Sequence, residues 1–140
     1  MRVATHNDAP HTGARGESFF ANHFIEERIF ISQPLYDLWG ADFVVEWKGS
    51  LCKVNVKAMH WDRSVNSYKT NLVREHKGVR RSYTDAEINY FGVVNLYYKR
   101  IWMVPLEAVN TRRNLNYKGP METRRKIQGR TFDWEKYRVK

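Results

Sequence analysis

The stretch Gly40–Met59, GADFVVEWKGSLCKVNVKAM, decides how this chain is read. Apolar and polar residues alternate along it on either side of Lys48-Gly49, the pattern of two antiparallel strands joined by a tight turn. With a two-residue turn at Lys48-Gly49, Trp47 faces Ser50, Val45 faces Cys52 and Asp42 faces Asn55. One face then collects Phe43, Val45, Trp47, Cys52, Val54, Val56 and Ala58, which is a core face. The other carries Asp42, Val44, Glu46, Leu51, Lys53, Asn55 and Lys57. Lys-Gly is not among the strongest hairpin dipeptides, and a bulge would offset Asp42 from Asn55.

The polar face has a chemical consequence. Asp42, Asn55 and Lys57 gather at the open end of the hairpin, with opposed Cβ atoms about 5 Å apart. A carboxylate and a neutral amide oxygen together suit a hard cation such as Mg²⁺. A lysine two residues further along the same face can stabilise developing negative charge or orient a water. The plain alternative is the solvent face of a half-exposed sheet. Glu17 adds to the picture, because it shares a helix face with Phe20, Ala21 and Phe24. That apolar face must turn toward the sheet, which aims Glu17 at its rim. The competing reading is an acidic residue in a first helical turn, where the helix dipole favours it.

Bulk composition narrows the classes. With 140 residues and 42% hydrophobic content the chain is long enough for one core-bearing domain. Its longest apolar run, Ile101–Val104, is far too short to span a membrane, and the N-terminus lacks an apolar signal core. The lone cysteine, Cys52, excludes an intramolecular disulfide framework and fits a reducing cytoplasm. On the core face it makes a poor nucleophile. His60, just past the second arm, is a proton donor within reach or simply a surface histidine.

The net charge of +9 is concentrated at one end. Residues 1–109 hold 14 Lys and Arg against 12 Asp and Glu, whereas residues 110–140 hold 10 against 3. Such asymmetry favours a polyanionic partner, nucleic acid above all. Arg112, Arg113, Arg124, Arg125 and Lys126 are the first candidates for DNA contact. Lys69 and the basic loop carrying Arg74, Lys77, Arg80 and Arg81 follow.

The pattern predicts a loose segment at 1–13, a helix from Gly16 to about Arg28 and a short strand at Ile29–Ser32. The hairpin comes next, then strands at Ser67–Val73 and around Lys99-Arg100, and a short helix after Pro105. Helix, strands and helix in that order imply an α/β (α+β) fold with one central mixed β-sheet flanked by helices. In the basic tail, Tyr117, Phe132, Trp134 and Tyr137 imply packing, on this chain or on another subunit, rather than disorder.

Four stretches then fall into a familiar order: GARGESFF (Gly13–Phe20), GADFVVEWKG (Gly40–Gly49), KVNVKAM (Lys53–Met59) and YTDAEINYFGVV followed by IWMVPLEAV (Tyr83–Val109). Together they resemble the PD-(D/E)XK nuclease superfamily, and within it the small intron-encoded homing endonucleases of cyanobacterial type. The resemblance covers roughly Gly13 to Val109. It implies a restriction-endonuclease-like core over 14–109, after a flexible segment 1–13. Residues 110–140 become a basic extension for DNA contact or oligomerisation.

By the same resemblance Asp42 is the principal metal ligand, Glu17 a ligand or its water-mediated helper, and Lys57 the group beside the attacking water. Asn55 stands where the family has an acidic residue or Gln, and as a neutral, shorter side chain it weakens the hold on a cation. The implied activity is Mg²⁺-dependent cleavage of double-stranded DNA, with Mn²⁺ as a substitute, by a homodimer or homotetramer in the cytoplasm at the nucleoid. A Holliday-junction-type resolvase, a catalytically weakened DNA-binding protein on the same fold, and an RNA-binding or ribosome-associated module are the alternatives.

Overall fold

The computed structural model describes residues 9–36, 40–109, 112–120, 124–127 and 130–140, with side chains at all of these except 9, 10, 75, 76, 124–127, 130 and 131. Helix α1 spans Ala9–Glu26, so it begins before the expected Gly16. Pro10 falls in its first turn, where a missing N–H leaves no hydrogen bond unmade. Of the segment 1–13 expected to be loose, residues 9–13 are thus helical, and 1–8 lie outside the described residues.

The strands follow as β1 (Ile31–Ser32), β2 (Phe43–Trp47), β3 (Ser50–Ala58), β4 (His60–Asp62), β5 (Ser67–Asn71), β6 (Val73–His76), β7 (Val79–Ser82), β8 (Tyr90–Asn95) and β9 (Arg100–Pro105). A short helix α2 (Leu106–Val109) leads to β10 (Asn114–Tyr117), β11 (Arg124–Ile127) and β12 (Arg130–Asp133). Five strands form one sheet in the order β1-β2-β3-β8-β9. It is mixed, because β3 and β8 run parallel while the other neighbours are antiparallel. The parallel pair is extended at its start by Asn89, whose Oδ1 accepts from the Lys53 amide at 2.8 Å while its own N–H returns to the Lys53 carbonyl.

Strand alternation sends side chains to two separate cores. On one face Val45, Val54, Val94, Ile101 and Met103 pack with Phe20 and Phe24 of α1. Both phenylalanines are fully buried, and each contributes roughly 1.5–3 kcal/mol of burial. On the opposite face Phe91, Val93, Trp102 and Val104 pack with Leu115, Tyr117, Phe132 and Trp134. A smaller sheet, ordered β10-β5-β4, accompanies that second core. The tail aromatics therefore complete this chain's own core, with Trp134 holding the Asn116 carbonyl through Nε1 at 3.1 Å.

One expectation is corrected. The basic loop at Val73–Arg81 is a two-stranded ribbon, β6 paired with β7, turning at Lys77-Gly78. Its strands are almost wholly polar, so no apolar alternation announced them. Among the described residues no helix is long and apolar enough to cross a membrane.

Candidate active site

The hairpin register holds for most of its length. Lys48 and Gly49 both take positive φ (51° and 83°), the turn whose twist matches the flanking strands. Pairing runs from Trp47↔Ser50 through Val45↔Cys52 to Phe43↔Val54. There it changes. The Asp42 amide donates to the Val54 carbonyl at 2.8 Å, so Asp42 and Phe43 both address one residue of β3, as in a bulge. The expected direct pairing of Asp42 with Asn55 is therefore replaced by an offset.

Past this point β3 runs on to Ala58 without β2 beside it. Its vacated edge carries the Val56 N–H, which donates to Asp42 Oδ2 at 2.7 Å. The bulge thus puts the carboxylate at a fork in the sheet, where groups from either face can reach it.

Glu17 approaches from the helix side. The preceding Gly16 is buried, and a Cβ there would meet the Ala58 Cβ at 2.8 Å. Only glycine lets α1 approach the end of β3 this closely, which brings Glu17 to the fork. Burial pushes the Asp42 carboxyl up to about 7. The Val56 hydrogen bond opposes this, a hydrogen bond and like charge from Glu17 add to it, and Lys57 lowers it again.

Asn55 and Lys57 project to the other face of β3. Asn55 is buried, at 7% exposure, and its Nδ2 donates to the Gly40 carbonyl at 2.6 Å. Its Oδ1 is buried with no hydrogen-bond partner. Lys57 Nζ donates to the Tyr83 hydroxyl at 3.2 Å and lies 5.2 Å from the centre of that ring. Tyr83 was not picked out from the sequence, although it heads the YTDAEINYF stretch.

The donor set fits a divalent cation. Two neighbouring carboxyl groups, one raised to about 7 by burial and by its neighbour, mark a place short of positive charge. The orphaned Asn55 oxygen offers a neutral hard ligand. Among the described residues no group of three or more His, Cys, Asp or Glu side chains gathers as a metal site.

The predicted basic positions divide. A cleft of about 450 Å³ beside Lys57 is lined by Gly40, Asn71, Val73, Arg74, Arg80 and Tyr83 as well. Arg74 and Arg81 both bind the buried Glu87, and Lys77 sits exposed at the ribbon turn. Lys69 pairs with Asp62 at 3.7 Å. Arg112 lies over the Phe132 ring and Arg113 is exposed. The side chains of Arg124, Arg125 and Lys126 lie outside the described residues; their backbone forms β11.

Comparison with known proteins bears on the fold and the family. The solved structure of a bacterial homing endonuclease, I-Ssp6803I, superimposes with a TM-score of 0.73, covering 93% of this chain and 88% of that one at 16% identity. No curated protein sequence matches the chain. A sequence model described as PD-(D/E)XK endonuclease matches residues 8–137. With nearly its whole length matched, the chain belongs to the PD-(D/E)XK endonuclease family.

Proposed function

We propose that this chain is a metal-dependent endonuclease that hydrolyses phosphodiester bonds in double-stranded DNA, and that it cuts both strands as a homodimer or homotetramer in the manner of a homing endonuclease. The observation that carries the reading is the fork at Asp42. There the helix-borne Glu17 hydrogen-bonds the carboxylate, the Val56 N–H donates to it and the Lys57 charge acts on it, while the unpartnered Asn55 oxygen lies on the same strand as Val56.

Asp42 and Asn55, with Glu17, would hold Mg²⁺ or Mn²⁺, which supplies positive charge against the phosphate oxygens. The Val56 N–H keeps the Asp42 carboxylate in place at the edge of β3. The Gly40 carbonyl fixes the Asn55 amide plane, so that Oδ1 rather than Nδ2 is left without a partner. Lys57, steadied by Tyr83, donates a hydrogen bond to the attacking water or to a phosphate oxygen as charge grows there. As the water oxygen bonds to phosphorus it gives up a proton, one P–O ester bond breaks, and the leaving oxygen takes up a proton. The described residues hold one such site, so cutting both strands calls for a second copy.

The test is nicking of supercoiled plasmid with Mg²⁺ or Mn²⁺, comparing the unaltered protein with Lys57→Ala. Loss of cutting by two or more orders of magnitude, with duplex binding retained, is the expected result. Equal behaviour of the two proteins removes Lys57 from the chemistry. Binding without any cutting turns the reading toward a weakened DNA-binding protein, and preference for a four-way junction toward a resolvase.

A further inference from the structure

Glu87 is a buried carboxylate outside the candidate site, and both of its arginine partners belong to the β6–β7 ribbon. At 5% exposure it binds Arg74 of β6 and Arg81 of β7, the latter through both oxygens at 2.8 Å. The Thr84 amide and hydroxyl also donate to it, at 3.0 and 3.1 Å. Arg74 and Arg81 are cross-strand partners in the ribbon. One acidic group therefore clamps both strands at the ribbon's base.

The clamp has work to do, because β6 and β7 form a sheet of their own. An isolated two-stranded ribbon is marginal in water. Beyond the clamp the ribbon's described side chains are mostly solvent-exposed. Lys77, Val79, Arg80 and Ser82 are exposed, Val79 at 65%. Its turn at Lys77-Gly78 is tight, with φ of 51° and 78°. At the same time Arg74 and Arg80 line the cleft that contains Lys57. A rigidly rooted, exposed, cationic ribbon thus stands next to the place where a scissile phosphate would lie.

We infer that the β6–β7 ribbon is a DNA-reading element that enters the major groove beside the cut, with Lys77, Val79 and Arg80 at the duplex and Glu87 as the positioning residue that fixes its angle. This rests on the endonuclease reading. The major groove, about 12 Å wide, accepts a two-stranded ribbon, whereas the minor groove is about half that width. Lys and Arg at the tip contact phosphates or guanine edges, and an exposed valine suits a thymine methyl group.

The experiment uses the full chain and a random-sequence duplex of about 30 base pairs. Val79→Cys, labelled with a photo-crosslinker, places the probe at the ribbon; the native Cys52 is buried and escapes labelling. The expected result is a crosslink to the duplex that methyl green, a major-groove binder, suppresses and netropsin, a minor-groove binder, does not. Lys77→Ala with Arg80→Ala weakens duplex binding at least tenfold and flattens its salt dependence by about one to two units. Glu87→Gln, measured well below its melting temperature, lowers the crosslink yield several-fold, which lost stability alone would not do.

If the label fails to crosslink and the double variant binds normally while Lys57-dependent nicking persists, the ribbon role is wrong and the endonuclease reading stands. Suppression by netropsin alone overturns the groove, and an unchanged yield with Glu87→Gln overturns the anchor. A protein that neither binds nor nicks any duplex removes both readings.

Discussion

Asn55 donates from Nδ2 to the Gly40 carbonyl at 2.6 Å and leaves its Oδ1 buried without a partner. A carboxylate at this position could supply the oxygen but not the donor. This is a physical reason for an asparagine where the family carries an acidic residue or glutamine. It ties the chain entering Asp42 to β3 and still offers an oxygen to the site. Asn55→Asp should therefore destabilise the metal-free protein by about 2–4 kcal/mol, since a buried carboxylate would face the Gly40 carbonyl in place of a donor. Mg²⁺ or Mn²⁺ should recover most of that loss. Thermal melts in EDTA and in excess metal check this; equal losses in both would separate Asn55 from metal binding.

Asp42 makes the complementary case. A carboxyl raised from an ordinary 3.8 to about 7 favours its protonated form in the fold. The cost of ionising it is absent below about pH 4, where the folded and unfolded chains are both protonated. It grows as pH rises toward 7 and is fully present above that. Asp42→Asn removes the charge while keeping an oxygen to accept from Val56. At pH 8 in EDTA it should stabilise the protein by on the order of 2 kcal/mol while abolishing cleavage. Denaturant unfolding at pH 4.5 and pH 8 checks the sign, because the gain should fall to about a quarter at the lower pH.

Tyr83 is expected to act through Lys57. Removing its hydroxyl frees Nζ from a 3.2 Å hydrogen bond but leaves the ring beneath the ammonium. Tyr83→Phe should slow cleavage about tenfold with little change in duplex affinity, a misplacement effect rather than a loss of the charge. Single-turnover cleavage beside an anisotropy titration separates the two. A fall in affinity with an unchanged cleavage rate would assign Tyr83 to binding.

Much of this site was legible because a strand's alternation is rigid. Once Lys48-Gly49 was read as the turn, the core face of Val45, Val54 and Val56 and the polar pair Asn55 and Lys57 followed. What was not legible was the bulge. Nothing in the residues Ala41-Asp42-Phe43 signals that two of them will address Val54, because that offset depends on where β2 departs from β3. The ribbon escaped for a different reason. Arg74, Arg80 and Arg81 carry charge where strand periodicity looks for apolar residues, and its two strands are tied together through Glu87, which lies outside the ribbon. The aromatics of the basic tail were read correctly as packing groups, but their destination against Trp102 is a tertiary fact.

The Glu87 clamp gives an acid-stability prediction with the opposite sign to that of Asp42. Hydrogen bonds from Arg81 hold its carboxyl down at about 2; burial opposes them, and Thr84 and Arg74 reinforce them. A depressed folded-state pKa contributes stability above the ordinary value near 4.5, and that contribution is lost as pH falls toward 2. The two-and-a-half-unit difference corresponds to on the order of 3 kcal/mol. Unfolding free energy should therefore drop steeply between pH 4.5 and pH 2, and Glu87→Gln should flatten that drop while lowering stability at pH 7. Chemical denaturation across this range, in unaltered and Glu87→Gln protein, measures both effects. Parallel curves for the two proteins would mean that the arginines gain nothing from the charge of Glu87 and that the ribbon is held at its base by other contacts.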